Sequence, residues 1–99
     1  MTAIQFLDLL RRSQLLDEQE VRKFVNSPGD GEELAATMVK AGLLTEWQAE
    51  KLLAGKFKGF MLGNYTLLSY RGKNGMSQDY VALHRLMKRK VILEILPIN

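Results

Sequence analysis

Through the first half of the chain apolar side chains recur three and four residues apart, and in the second half the spacing shortens to strand-like alternation. In residues 1–55 the stripe runs through Phe6, Leu10, Val21, Phe24, Leu34, Met38, Ala49 and Leu52, the spacing that a buried helix face requires. It predicts helices near 3–12, 18–26, 31–41 and 46–54. Each opens with the same pair of residues: Thr2/Gln5, Asp17/Glu20, Asp30/Glu33 and Thr45/Gln48 all fit a capping box. In a capping box the first side chain accepts from an otherwise unpaired amide, and the acid or amide three residues on reaches back. The ends are equally marked. Gly42 and Gly55 suit the left-handed residue just past a helix, and Asn26-Ser27-Pro28-Gly29 interrupts the second helical stretch.

This half repeats itself. Ser13-Gln14-Leu15-Leu16-Asp17-Glu18 matches Ala41-Gly42-Leu43-Leu44-Thr45-Glu46 after a shift of 28 residues. The same shift pairs Phe6 with Leu34, Leu10 with Met38, Val21 with Ala49, Phe24 with Leu52 and Val25 with Leu53. Each unit therefore reads as a helix, a Leu-Leu link and a second helix, with Leu16 and Leu44 placed to staple against Val21 and Ala49. Two such hairpins predict a four-helix bundle.

Residues 55–62 join the halves, with glycines at a bend and Phe57, Phe60 and Met61 as anchors. Beyond them, Tyr65–Tyr70, Tyr80–Leu83 and Val91–Leu96 are rich in β-branched and aromatic residues. Lys73-Asn74-Gly75 and Met87-Lys88-Arg89 are the expected turns between them. The third strand carries Val91, Leu93 and Ile95 on one face and Ile92, Leu96 and Ile98 on the other, with Glu94 interrupting. Three short strands need a further layer, so one face is expected to dock on the bundle through Tyr65, Leu67, Val91, Leu93 and Ile95. The fold class is α+β: four short N-terminal helices packed with a three-stranded antiparallel sheet. The division falls at 1–55 and 56–99 within one compact domain.

Composition narrows the chemistry. Ninety-nine residues, 46% of them hydrophobic and only two of them proline, describe a folded chain of one domain. With no cysteine and a single histidine, His84, neither a disulfide framework nor a zinc site is expected. No apolar run approaches the roughly 20 residues that cross a bilayer, and residues 1–12 do not read as a signal peptide; a cytoplasmic location without membrane attachment is the expectation. The net charge of +3 conceals an asymmetry: residues 1–55 hold six Lys/Arg against nine Asp/Glu, and residues 56–99 hold eight against two. The basic half favours an acidic partner. Its densest stretch, His84-Arg85-Leu86-Met87-Lys88-Arg89-Lys90, has neither stacking aromatics nor a groove-entering element, which argues against nucleic acid. It reads instead as an edge-protecting basic hairpin, with Arg85, Lys88, Arg89 and Lys90 available to a protein partner. Trp47, on the first turn of the fourth helix, is either core or an interaction anchor. His84 alone makes no ligand set.

Two stretches together resemble a known family. Gly42-Leu43-Leu44-Thr45-Glu46-Trp47-Gln48-Ala49-Glu50-Lys51-Leu52-Leu53-Ala54-Gly55 is similar to a helical signature in planctomycete-type bacterial Ser/Thr protein kinases. Leu62-Gly63-Asn64-Tyr65, Gly72 through Ser77, Tyr80-Val81-Ala82 and Val91 through Pro97 resemble the start of the kinase domain that follows it, part of the N-lobe. The resemblance implies a glycine-rich phosphate loop at Gly72–Ser77 and a nucleotide-binding lysine on the third strand. The residues depart from both. Gly72 and Gly75 remain, but Asn74 and Ser77 stand at glycine positions, and Arg71 replaces an apolar residue. Asp79 stands where a valine packs on adenine, Ile92 replaces a small alanine, and Glu94 replaces the lysine. An anion in place of that cation repels a triphosphate by about 4 kcal/mol per unit-charge pair at ~4 Å and an effective dielectric near 20.

The resemblance also places Asp79 and Glu94 on one face, where they could stand opposite each other across the second and third strands, as a catalytic dyad, as separate anions paired with nearby cations such as Arg71 or Lys73, or as a contact to a partner protein; separate anions are the favoured reading. The catalytic-loop Asp, the Mg²⁺-binding Asn and the DFG segment of a kinase have no counterpart in this sequence. No catalytic residue, cofactor or metal is therefore expected. The expected function is a non-catalytic, pseudokinase-like interaction or regulatory module whose partner is a kinase or kinase-associated protein, with homodimerisation through the third strand as a further route. Two other readings stay open: the N-terminal piece or remnant of a divergent kinase that binds ATP, and a small basic nucleic-acid-binding protein.

Overall fold

The structure, a computed structural model, describes residues 1–97. Ile98, expected on the outer face of the last strand, lies outside the described residues. The chain divides into two compact units, Met1–Lys58 and Gly59–Asn99, and belongs to the α+β class.

The first unit holds α1 (Ala3–Ser13), α2 (Glu18–Arg22), α3 (Gly31–Lys40) and α4 (Glu46–Leu53). All four expected caps are in place: the side chains of Thr2, Asp17, Asp30 and Thr45 accept from the amides of Gln5, Glu20, Glu33 and Gln48. Three of the four boxes close reciprocally. At α2 only the Asp17 half forms, because the Glu20 carboxylate turns to Lys23 Nζ at 3.0 Å. This helix is also shorter than its apolar spacing suggests. Past Arg22 the amides of Phe24, Val25 and Ser27 bond three residues back, to Val21, Arg22 and Phe24. The chain tightens into turns before Pro28, which disfavours helix in the residue that precedes it. Val25 is left exposed as a result.

Helices α3 and α4 end in full Schellman motifs. The amides of Gly42 and Leu43 bond to Val39 and Met38, and those of Gly55 and Lys56 to Leu52 and Lys51. At the equivalent point of the first repeat Gln14 takes the left-handed conformation, with φ 63°, where the second has Gly42. Most of the repeated stripe forms the core: Phe6, Leu10, Val21, Leu34, Met38, Ala49 and Leu52 are buried, joined by Leu7, Ala35 and Leu44, while Phe24, past the end of α2, is only half-buried. Among the described residues no helix is long and apolar enough to cross a membrane.

The second unit is a four-stranded antiparallel sheet in the order β1-β2-β3-β4, with β1 Met61–Leu62, β2 Tyr65–Asn74, β3 Ser77–His84 and β4 Arg89–Ile95. Three strands were expected. The fourth, β1, is a two-residue arm that folds back at Gly63-Asn64 to pair Met61 with Thr66 and Leu62 with Tyr65, too short to show any alternation. β2, β3 and β4 all extend beyond the stretches that alternation marks, into the polar hairpin ends. Tyr65, Leu67, Tyr80, Ala82, Val91, Leu93 and Ile95 share one face, where Leu67 and Ala82 are buried and the others half-buried. Phe60, whose carbonyl accepts from the Leu67 amide at 2.7 Å, is buried as well. The opposite face carries Asp79, Val81, Ile92 and Glu94.

Candidate functional site

Strand register decides which of the singled-out sheet positions meet. Asp79 and Glu94 are direct cross-strand partners between β3 and β4, and Val81 faces Ile92 in the next pair on the same face. The expected juxtaposition of the two carboxylates is thus present. Like charges directly opposite one another destabilise a strand pair. The expected neutralising partners are not there: among the described residues every ion pair lies in the helical unit, and neither Arg71 nor Lys73 reaches either acid. The Ser77 hydroxyl sits 3.1 Å from Asp79 Oδ1 and 2.8 Å from the Asn74 carbonyl oxygen. Glu94 and Ile92 are both exposed. Exposure screens the Glu94 charge toward the water limit, about 1 kcal/mol per unit-charge pair at ~4 Å, below the roughly 4 kcal/mol that holds at an effective dielectric near 20.

The glycine-bearing hairpin forms one residue later than the Asn-Gly pair suggests. Asn74 stays in β2 and pairs with Ser77, so Gly75 and Met76 make a two-residue turn. Gly75, with φ 63°, occupies its first central position, as in a type II′ turn. Gly72 sits at a register shift following Tyr70 and has φ 123°. A Cβ there would meet nothing within 4 Å. It is the backbone conformation that calls for glycine at this bulge, so Gly72 and Gly75 each have a role in the backbone of the sheet itself. Met76, at the tip, is exposed.

At the other end of the sheet, Arg85–Lys88 form the β3–β4 turn and Arg89 begins β4, where the turn was expected at Met87-Lys88-Arg89. The Lys88 amide donates to His84 O at 2.8 Å, and a left-handed Lys88 (φ 56°) returns the chain. His84 is a turn-closing residue: its Nδ1 accepts from the Met87 amide at 3.1 Å and its ring stands edge-on to Tyr65. Arg85 is a clamp. Its guanidinium donates to the carbonyls of Tyr65 (3.0 Å) and Gly63, and its own amide donates to Asn64 O at 2.8 Å. It therefore ties β1 to the β3–β4 turn, while Lys88, Arg89 and Lys90 are exposed. Leu86 and Met87 between them are 76% and 61% exposed, a pair of apolar tips that the charge count of this loop had overshadowed.

Trp47 is half-buried on α4, with Lys51 Nζ 5.8 Å from its ring centroid. The half-buried Phe57 has two cations near its ring, Arg12 at 5.6 Å and Lys58 at 5.7 Å from the centroid, within the range of cation–π attraction. Among the described residues no three His, Asp or Glu side chains gather where they would hold a metal ion. No family model matches the chain, and neither a curated protein nor a solved structure is significantly similar to it.

Proposed function

We propose that this protein is a non-catalytic contact module of pseudokinase type, in which a kinase-like sheet serves for binding proteins and not for phosphoryl transfer. The observation that carries the reading is the Asp79–Glu94 cross-strand pair, which puts two anions beside Ile92 on the face that a kinase would present to nucleotide. A triphosphate brought to that face meets like charge at both positions, and Ile92 stands in the path of a base. The two glycines that remain of a phosphate loop serve a turn and a bulge. On this reading the partner is a kinase or kinase-associated protein, and the exposed cations Lys88, Arg89 and Lys90 supply charge complementarity to an acidic surface.

The test is a Mg·ATP titration followed by calorimetry and by amide chemical shifts, with Glu94→Lys measured against its own free state. The wild type is expected to give no heat and no shift at millimolar nucleotide, and Glu94→Lys weak shifts confined to β3 and β4. Saturable, Mg²⁺-dependent binding of ATP to the wild type at micromolar concentration would overturn the proposal in favour of a divergent nucleotide-binding kinase segment.

A further inference from the structure

The sheet ends on β4, and among the described residues nothing pairs with that strand's outer edge. A second stretch of open edge exists on β2 beyond Leu67, because β1 and the Phe60 carbonyl cover only Tyr65, Thr66 and Leu67. The two edges are built differently. β2 carries two register shifts, between Leu67 and Ser69 and between Tyr70 and Gly72, and bulges of this kind twist an edge away from further pairing. β4 pairs with β3 without any shift from Arg89 to Ile95. A straight, regular edge of seven residues is a template for another strand.

Which backbone groups this edge offers follows from the ladder. Antiparallel residues turn both backbone groups alternately to one neighbour and then to the other. A two-residue turn is closed by a hydrogen-bonded pair, here Asn74–Ser77. Counting from it, Ser77, Asp79 and Val81 bond toward β2, and Gln78, Tyr80, Ala82 and His84 toward β4. Arg89, Val91, Leu93 and Ile95 complete those bonds, so the amides and carbonyls of Lys90, Ile92 and Glu94 point to the open edge. Their side chains share the face that holds Asp79 and Val81.

We propose that β4 pairs with β4 of a second copy, antiparallel about Ile92, so that Lys90 of each copy lies opposite Glu94 of the other. The inference deepens the contact-module reading by naming a partner for the sheet, and it rests on that reading only in taking the sheet to be free of nucleotide. Three features converge on this register. It is the one in which the whole of Arg89–Ile95 overlaps its symmetry mate. It brings the 48%-exposed Ile92 of each copy together at the two-fold axis, flanked by Val81 from both. It also sets the partner's Lys90 beside Glu94, supplying the cation that the Asp79–Glu94 pair lacks within one chain. Slipping by two residues one way sets Glu94 against Ile92 and Lys90 against Leu96. Slipping the other way sets Lys90 against Ile92 and carries Glu94 to Lys88, outside the strand. Lys90, which by itself would discourage pairing, thus becomes the residue that selects the register.

Sedimentation velocity of the full chain across micromolar to millimolar concentration tests this, with Lys90→Glu, Glu94→Lys and the double exchange Lys90→Glu/Glu94→Lys. The wild type is expected to dimerise. Each single exchange sets like charges opposite one another twice per dimer, and the dissociation constant should rise roughly tenfold or more. The double exchange should recover the wild-type constant, and an equimolar mixture of the two single variants should form a heterodimer, since one then carries two anions and the other two cations. A wild type that stays monomeric at millimolar concentration overturns the proposal. So does a dimer indifferent to both single exchanges, which would place the contact elsewhere. Recovery in the double exchange and the mixture excludes misfolding as the cause of any loss. A parallel run with Mg·ATP separates the two proposals: nucleotide binding by a dimer sinks the contact-module reading alone, and a monomer that ignores nucleotide sinks the dimer alone.

Discussion

The helical unit and the sheet unit differ in how completely each buries its apolar residues. Phe6, Leu7, Leu10, Val21, Leu34, Ala35, Met38, Leu44, Ala49 and Leu52 are buried in the first, against Phe60, Leu67 and Ala82 in the second. Ion pairs follow the same division: those among the described residues, such as Arg12–Asp8 and Arg11–Glu18, all lie in the helical unit, and the sheet's two acids have none. A helix satisfies its own backbone and needs only a stripe to bury, whereas a small sheet leaves an edge and a face open. The helical unit is therefore built as a closed object, and the sheet unit as one with surfaces to spare.

Truncating the two cores gives the widest separation. Phe6→Ala, in a fully buried site, should cost about 3–5 kcal/mol, and the half-buried Leu93→Ala roughly 1–2 kcal/mol. Urea unfolding resolves them, because Trp47 fluorescence reports the helical unit and β4 amide exchange the sheet. Equal costs would erase the contrast. Gly72→Ala comes next, at about 1–3 kcal/mol, since only glycine accepts its φ of 123° readily. The loss should appear as faster amide exchange around the bulge, and a neutral result would show that the bulge can relax. The smallest effects lie at the helix ends. Gly42→Ala should cost about 1 kcal/mol at φ 77°, and Gln14→Gly should gain up to about 1 kcal/mol at φ 63°. Thermal unfolding that moved both variants in the same direction would show that the two repeats do not end alike.

Much of the helical unit can be read from single residues. A cap, a Leu-Leu link and a terminal glycine act within a few positions of the chain, so all four helix starts and the ends of α3 and α4 stand where the residues put them. The misplaced elements depended on choices the residues left open. Glu20 had two partners within reach and took Lys23. Asn74-Gly75 and Gly75-Met76 were both adequate turns, and strand pairing selected the second. β1 was too short to leave a pattern. Arg85 was conspicuous as a charge, but its role as a clamp on Gly63 and Tyr65 depends on carbonyls some twenty residues away, and no local signal marks such a contact. The facing of Asp79 and Glu94 was an expectation drawn from a resemblance, and strand pairing is what sets the two opposite each other.

By itself, then, the sequence determined the α+β class, the four capped helices and the buried repeat, because each of these follows from local propensity and apolar spacing. Only the tertiary structure decided which residues stand opposite one another, where the bulges fall and which strand edge is left unpaired among the described residues. Those depend on hydrogen bonds between segments far apart in the chain, and a shift of one residue in any of them would exchange one face of the sheet for the other.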